Sequence, residues 1–181
     1  MKKGFTLIEL MVAISIVAII STIAFTSFTQ SQMRARDLKR KQDLHSIAVA
    51  LELFYQVNRR YPCSGAGNVA WIFSSSTSWL VDSNAGTCGG SNTSIAPRYI
   101  AALPKDPLED NTTGVGSTNR NYAYYSPDTV AGCTPGQSYA LVTHLENATD
   151  PDRLQQNARS LCGTAFSTAT YGNNAFILSA P

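Results

Sequence analysis

Residues 1–28 read MKKGFTLIELMVAISIVAIISTIAFTSF, and this stretch decides the architecture. Behind Met1-Lys2-Lys3-Gly4 runs an almost unbroken apolar segment from Phe5 to Phe28, long enough to cross a bilayer as a helix. Lysines at its front, with no further basic residue until Arg34, predict that the N-terminus stays inside and the rest of the chain goes outside. A conventional secretory signal has a shorter apolar core followed by a small-residue cleavage site. No A-x-A pattern follows here, so the segment is expected to remain on the mature chain. Glu9 interrupts it. A carboxylate in such a run costs about 2.5–3.5 kcal/mol at the helix centre and less toward the ends, so Glu9 either snorkels to the headgroups or carries a function.

The string Lys2-Lys3-Gly4 followed by Phe5-Thr6-Leu7-Ile8-Glu9 resembles the type III signal of type IV pilins and type II secretion pseudopilins. The resemblance implies cleavage after Gly4 by a prepilin peptidase and methylation of the new N-terminal Phe5. It also implies a role for Glu9 in setting the register between subunits of a filament. Glycine at position 4 leaves the backbone open to a protease. Cleavage removes both lysines and frees the Phe5 amine. In an axially staggered filament that ammonium can meet the Glu9 carboxylate of a neighbour, since an uncompensated charge in an apolar core is costly. Many pilins carry a proline and a glycine within the apolar half, where this chain has Ala18 and Thr26; Ser21-Thr22 and Thr26-Ser27 can still loosen the helix by hydroxyl back-bonding.

Downstream, neither proline nor glycine occurs from Phe5 to Asn58, which allows one continuous helix about 80 Å long. Leu44, Ile47, Ala48, Leu51, Phe54 and Tyr55 recur at helical spacing as an apolar stripe for a head to pack on. Asp37 with Arg40 or Lys41 reads as weak pairing on the helix surface. Tyr61-Pro62 is expected to end the element, because the residue before proline is pushed out of helical geometry.

With 181 residues, most of the first sixty in one element, there is room for one modest head. Net charge is +2, but seven basic and three acidic residues from Arg34 to Arg60 give way to five basic and eight acidic from Tyr61 onward. A mildly acidic head argues against a nucleic-acid-binding face. Residues 63–97 are rich in Gly, Ser, Asn and Thr and read as a long connecting loop with a short helix around Ser78–Asp82. Asn121–Ser126, Ser138–His144 and Asn173–Leu178 read as strands. The expected fold class is α+β: a long N-terminal helix, transmembrane in its first half, packed against a small antiparallel β-meander. The boundaries are a leader at 1–4, the transmembrane or filament-core helix at 5–30, its amphipathic half at 31–61 and the head at 62–181.

Tyr61-Pro62, Leu103-Pro104-Lys105-Asp106-Pro107, Asn121-Tyr122-Ala123-Tyr124-Tyr125 and Tyr139-Ala140-Leu141 resemble the major pseudopilin and related bacterial pilins. That pseudopilin usually has an aromatic-glycine pair after Asp-Pro and lacks cysteines. Here Leu108-Glu109 follows and Cys63, Cys88, Cys133 and Cys162 are present, which favours a pilin over the alternative, a major pseudopilin of a type II secretion system. The four cysteines form no C-x-x-C pair and read as two disulfides. Cys63–Cys88 and Cys133–Cys162 are favoured among three pairings because each closes a local loop, and each bridge contributes about 2–4 kcal/mol.

Glu146, Asn147, Asp150 and Asp152 form an oxygen-rich cluster that suits Ca²⁺ by ligand type, in a region where some pseudopilin heads bind calcium; a solvated acidic turn explains it equally. No other cofactor is expected. No G-x-S-x-G elbow and no glycine-rich phosphate loop is present, and His144 in a strand reads as structural, so no enzyme activity is expected. Asn92, Asn111 and Asn147 begin glycosylation sequons, which arise often by chance. The resemblance implies a homo-oligomeric filament, a membrane-inserted precursor whose head lies outside the cytoplasm, and as partners a prepilin peptidase, an assembly platform and a motor ATPase.

Overall fold

The computed structural model describes residues 4–64, 71–76, 79–82, 93–110, 114, 119–127, 133–154, 160–161, 164–165 and 171–180, with side chains 23–27, 82, 93, 160, 164 and 165 left out. The chain forms two compact units, Met1–Arg36 and Asp37–Pro181.

One helix, α1 (Leu7–Asn58), runs unbroken for 52 residues and contributes to both units. Hydroxyls inside its apolar part are satisfied locally. Ser15, Ser21 and Thr22 donate to the carbonyls of Val12, Val17 and Ile19 at 2.7–2.8 Å, and the helix continues through them. Back-bonding of this kind supplies the hydrogen bonds that an apolar surrounding withholds. Thr26 and Ser27 lie outside the described side chains.

The helix ends at Asn58, three residues before the expected Tyr61-Pro62 boundary. Arg59 takes a left-handed conformation (φ 57°), its amide still bonds the Tyr55 carbonyl at 2.7 Å, and the Asn58 amide caps the Phe54 carbonyl at 2.9 Å. The reversal is stitched from afar. Tyr61 N–H donates to the Gly136 carbonyl (2.7 Å), and the Gln137 side chain bonds both the Arg59 carbonyl and the Tyr55 hydroxyl. Gly136 has φ 68°, and a Cβ there would meet Arg60 Cβ at 3.0 Å, so this approach needs glycine.

In the head, β1 (Ile72–Phe73), β4 (Ala123–Tyr125), β5 (Tyr139–His144) and β8 (Ala175–Ala180) form one antiparallel sheet in the order β1-β4-β5-β8. β4, β5 and β8 are the expected meander, and β1 adds to its edge. Two two-stranded ribbons accompany it: β2 (Val81–Asp82) with β3 (Thr93–Ser94), and β6 (Ser160–Leu161) with β7 (Thr164–Ala165). The expected helix around Ser78–Asp82 is therefore corrected. Leu80 is left-handed (φ 49°), which ends any helical run, and Val81 pairs with Ser94.

The sheet is covered on both faces. On one, Tyr122, Tyr124, Tyr139, Leu141 and Phe176 pack with Leu44, Ile47, Leu51 and Phe54 of α1, as the helix stripe predicts. On the other, Ala123, Ala140, Val142 and Ile177 pack under Leu154 and Leu161. Every residue of β5 is consequently buried, in place of the alternation expected of a half-buried strand. Tyrosine hydroxyls fasten this core to α1 and its exit: Tyr122 donates to Asp43 and Tyr124 to the Pro62 carbonyl, each at 2.7 Å, and Tyr61 donates to Glu52 at 2.9 Å.

Candidate functional site

In the unit Met1–Arg36 the apolar side chains from Phe5 to Ile20 are open to solvent. Phe5, Leu7, Ile8, Leu10, Met11, Ile14 and Ile16 are all exposed, Phe5 at 87%. Such a surface on a lone helix calls for a partner. Among the described residues no helix is long and apolar enough to cross a membrane. At Gly4 an added Cβ would meet nothing within 4 Å. The fold of this chain does not itself require glycine there, so any demand for it comes from outside the chain.

Glu9 is not a bare carboxylate. Thr6 N–H and the Thr6 hydroxyl both donate to Glu9 Oε2, at 2.9 and 2.7 Å, and Glu9 N–H donates to the Thr6 hydroxyl oxygen at 3.4 Å. This is the reciprocal capping box of T-x-x-E, which satisfies amides that the first turn leaves open. Thr6 is a residue the sequence reading did not single out, although the spacing Thr6-x-x-Glu9 was its signal.

In the unit Asp37–Pro181 the outstanding chemistry is a buried cation. Arg40 has no exposed surface. Its guanidinium donates through Nε and Nη2 to both oxygens of Asp106 (2.6 and 3.0 Å), and through Nη1 to Asp37 and Glu146 (2.7 Å each). Burial alone would favour the neutral form; Asp106, helped by Glu146 and Asp37, more than reverses this and holds Arg40 charged well above the ordinary arginine value. Asp37 accepts the amides of Glu146 and Asn147 at 2.8 Å, and Asp106 accepts that of Leu108 at 2.8 Å. The surface pair expected of Asp37 and Arg40 is thus corrected: it is the centre of a clamp holding the Leu103-Pro104-Lys105-Asp106-Pro107 segment and the 146–147 turn to α1. A planar fork with five donors suits this bidentate site as no lysine could.

Next along the helix, Lys41 Nζ bonds Asp150 (2.6 Å) and Asp152 (2.7 Å) and lies 5.7 Å from the Phe176 ring centroid. The oxygen-rich turn considered for calcium is therefore built around the chain's own cations. Asp150 and Asp152 hold Lys41, Glu146 holds Arg40, and Asn147 Oδ1 accepts the amide and hydroxyl of Thr149. Among the described residues no group of three or more His, Cys, Asp or Glu side chains is disposed to hold a metal.

No cysteine among the described residues is free, and Cys63 and Cys133 are disulfide-bonded. Cys88 and Cys162, and with them the expected pairing, lie outside the described residues, as do Asn92 and Asn111. His144 is buried with Nε2 at 2.7 Å from the Tyr171 carbonyl, while Nδ1 finds no partner among the described residues. Burial holds its pKa below the ordinary imidazole value. The ring holds Tyr171 in place, in keeping with a structural role.

The family described as the prokaryotic N-terminal methylation motif matches residues 1–25. Over 60 residues, one third of this chain, the sequence is 35% identical to the type IV major pilin protein PilA of Myxococcus xanthus (strain DK1622). That alignment spans about a quarter (27%) of the relative's length. No solved structure matches the chain.

Proposed function

From a chain whose N-terminal segment is that of the type IV pilins, we propose a structural subunit of a type IV pilus-like filament, made as a precursor with leader 1–4. A prepilin peptidase cuts after Gly4 and Phe5 is methylated. Residues 5–30 hold the subunit in the cytoplasmic membrane by a single pass, with the head outside, until a motor ATPase and a membrane platform draw it into the extracellular filament. There the Phe5 ammonium of one subunit meets Glu9 of another and sets the axial step. The observation that carries the reading is the methylation motif at residues 1–25 standing on a helix whose apolar side chains are exposed. Cys63–Cys88 and Cys133–Cys162 would tie the head. Its buried core and internally neutralised charges support a structural role and not catalysis.

Mass spectrometry of the mature chain, from cells with and without the peptidase, tests this. A chain beginning at methylated Phe5 only when the peptidase is present is expected, with Gly4→Leu retaining Met1 and yielding no filament. A mature chain that keeps Met1-Lys2-Lys3-Gly4 would overturn the reading. A second reading, a major pseudopilin of a type II secretion system, rests on the Leu103–Pro107 and Asn121–Tyr125 segments, which resemble that protein as well as related pilins. Electron microscopy separates the two, because long sheared surface filaments belong to the pilin alone.

A further inference from the structure

The sequence holds two Asp–Pro bonds, Asp106–Pro107 and Asp150–Pro151, and the head builds the same turn around each. In the first, Leu108 N–H donates to Asp106 Oδ1 (2.8 Å) and Glu109 N–H to the Asp106 carbonyl (3.1 Å). In the second, Asp152 N–H donates to Asp150 Oδ1 (2.9 Å) and Arg153 N–H to the Asp150 carbonyl (3.4 Å). Each aspartate heads an Asx-turn inside a backbone turn. Consecutive cations of α1 hold the two carboxylates. Arg40 takes both oxygens of Asp106, whereas Lys41 reaches Asp150 through Oδ1, at 2.6 Å. Asp150 Oδ2 accepts nothing among the described residues.

An Asp carboxylate can attack the carbonyl carbon of its own residue and close a five-membered cyclic anhydride. The C–N bond to proline then breaks. The prolyl nitrogen, more basic than an ordinary peptide nitrogen, leaves as a secondary amine with a proton taken from acid, and water opens the anhydride back to aspartate. An N–H on the carbonyl oxygen steadies the oxyanion formed on the way. Glu109 and Arg153 supply that donor in the two turns, so what restrains the reaction is the hold on each carboxylate.

We propose that Asp150–Pro151 is a latent self-cleavage site of the folded head, guarded by Lys41, and that the Arg40 fork keeps Asp106–Pro107 shut. A carboxylate must shed its cation before it can turn on its own carbonyl. Asp106 is buried and would have to leave Arg40 Nε, Arg40 Nη2 and the Leu108 amide. Asp150 is half-buried and would have to release one ammonium and one amide. The charged groups facing Asp150 are Lys41 on α1 and, sharing that lysine, Asp152 in its own turn. Those facing Asp106 are Arg40 on α1, with Asp37 and Glu146 sharing it, and Tyr122 and His144 lie within electrostatic reach. Strands β5 and β8 pair across position 150, so the cut nicks the head without parting it.

The test warms the full chain in detergent at about pH 4, where an ordinary aspartate is half ionised. Samples taken over several days are denatured, reduced and weighed by intact-mass spectrometry. The wild-type chain is expected to give, slowly, one fragment ending at Asp150 and one beginning at Pro151, with Asp106–Pro107 intact. Lys41→Met is expected to speed that cut about tenfold or more, because the carboxylate is freed to reach its carbonyl, and to leave Asp106–Pro107 uncut. Asp150→Glu keeps the charge but cannot close a five-membered ring, and is expected to abolish the cut. Acceleration of both bonds together in Lys41→Met would show unfolding of the head in place of a local guard and would overturn the proposal. An unchanged rate in that variant, or an earlier cut at Asp106–Pro107 in the wild-type chain, would overturn it as well.

Discussion

Residues 7–36 and 37–58 of α1 share one backbone ladder and little else. The first part buries no described large apolar side chain, and Glu9, Ser15, Ser21 and Thr22 find their partners within about one turn, Glu9 in Thr6 and the three hydroxyls in carbonyls one turn back. The second part buries Leu44, Ile47, Leu51 and Phe54, and even a full arginine, with partners as far as 106 residues away in sequence. One helix can therefore be made stable by two separate means. The first part answers to its surroundings, and the second to the head.

The largest effect that could break this contrast is at Arg40. Arg40→Ala leaves Asp37, Asp106 and Glu146 packed together without their cation and should destabilise the head by about 3–5 kcal/mol. Arg34→Ala, an exposed change on the same helix, should stay within about 0.5 kcal/mol. Thermal unfolding of the full chain in detergent, followed by near-ultraviolet circular dichroism, reads both. Equal curves would mean that the clamp is ornamental.

A core pair sharpens the contrast next. Leu51→Ala should cost the head about 2–5 kcal/mol, whereas Ile16→Ala should leave head unfolding unchanged. A shift of the head transition by Ile16→Ala would show that the first part does support the head.

A smaller effect concerns pH. Because burial depresses the His144 pKa, the folded chain binds fewer protons there than the unfolded chain. The stability from keeping this ring neutral is full above about pH 6.5 and is lost as pH falls from there through the lowered folded value. Unfolding measured from pH 8 to 5 should show this decline, and His144→Gln should flatten it. The smallest expected change is a gain. Arg59→Gly relieves a left-handed arginine and should stabilise the head by about 0.5–1 kcal/mol in denaturant titration.

What the sequence made legible follows from the range over which each feature is determined. The helix, its buried stripe and strands β4, β5 and β8 are written in local composition and period, so reading them needs no partner. The helix end is not. Pro62 marked its neighbourhood, but the reversal at Arg59 depends on Gly136 and Gln137, more than seventy residues on. The two-residue strands are too short to have a period. Arg40 was read as a surface residue because helix spacing pairs it with Asp37, while the residue that buries it, Asp106, is 66 positions away. The oxygen-rich turn shows the same limit: its oxygen ligands were visible, but the cations they pair with, Arg40 and Lys41, are on another element. At the N-terminus the string from Gly4 to Glu9 was legible in itself, and only the use of Thr6 as a cap was passed over.

In the proposed filament, that cap has a consequence for the pace of subunit addition. Both Thr6 bonds fall on Oε2, so the Glu9 side chain is held in one rotamer while Oε1 accepts nothing among the described residues. A carboxylate fixed in this way loses little rotational freedom when a cation arrives, and the arriving cation displaces no existing bond. Pre-orientation of the acceptor moves the entropic cost of capture from the encounter back to the folding of the first helical turn. A chain with Thr6→Val would present the same charge on a freely turning arm, and its joining would be slower at unchanged net charge.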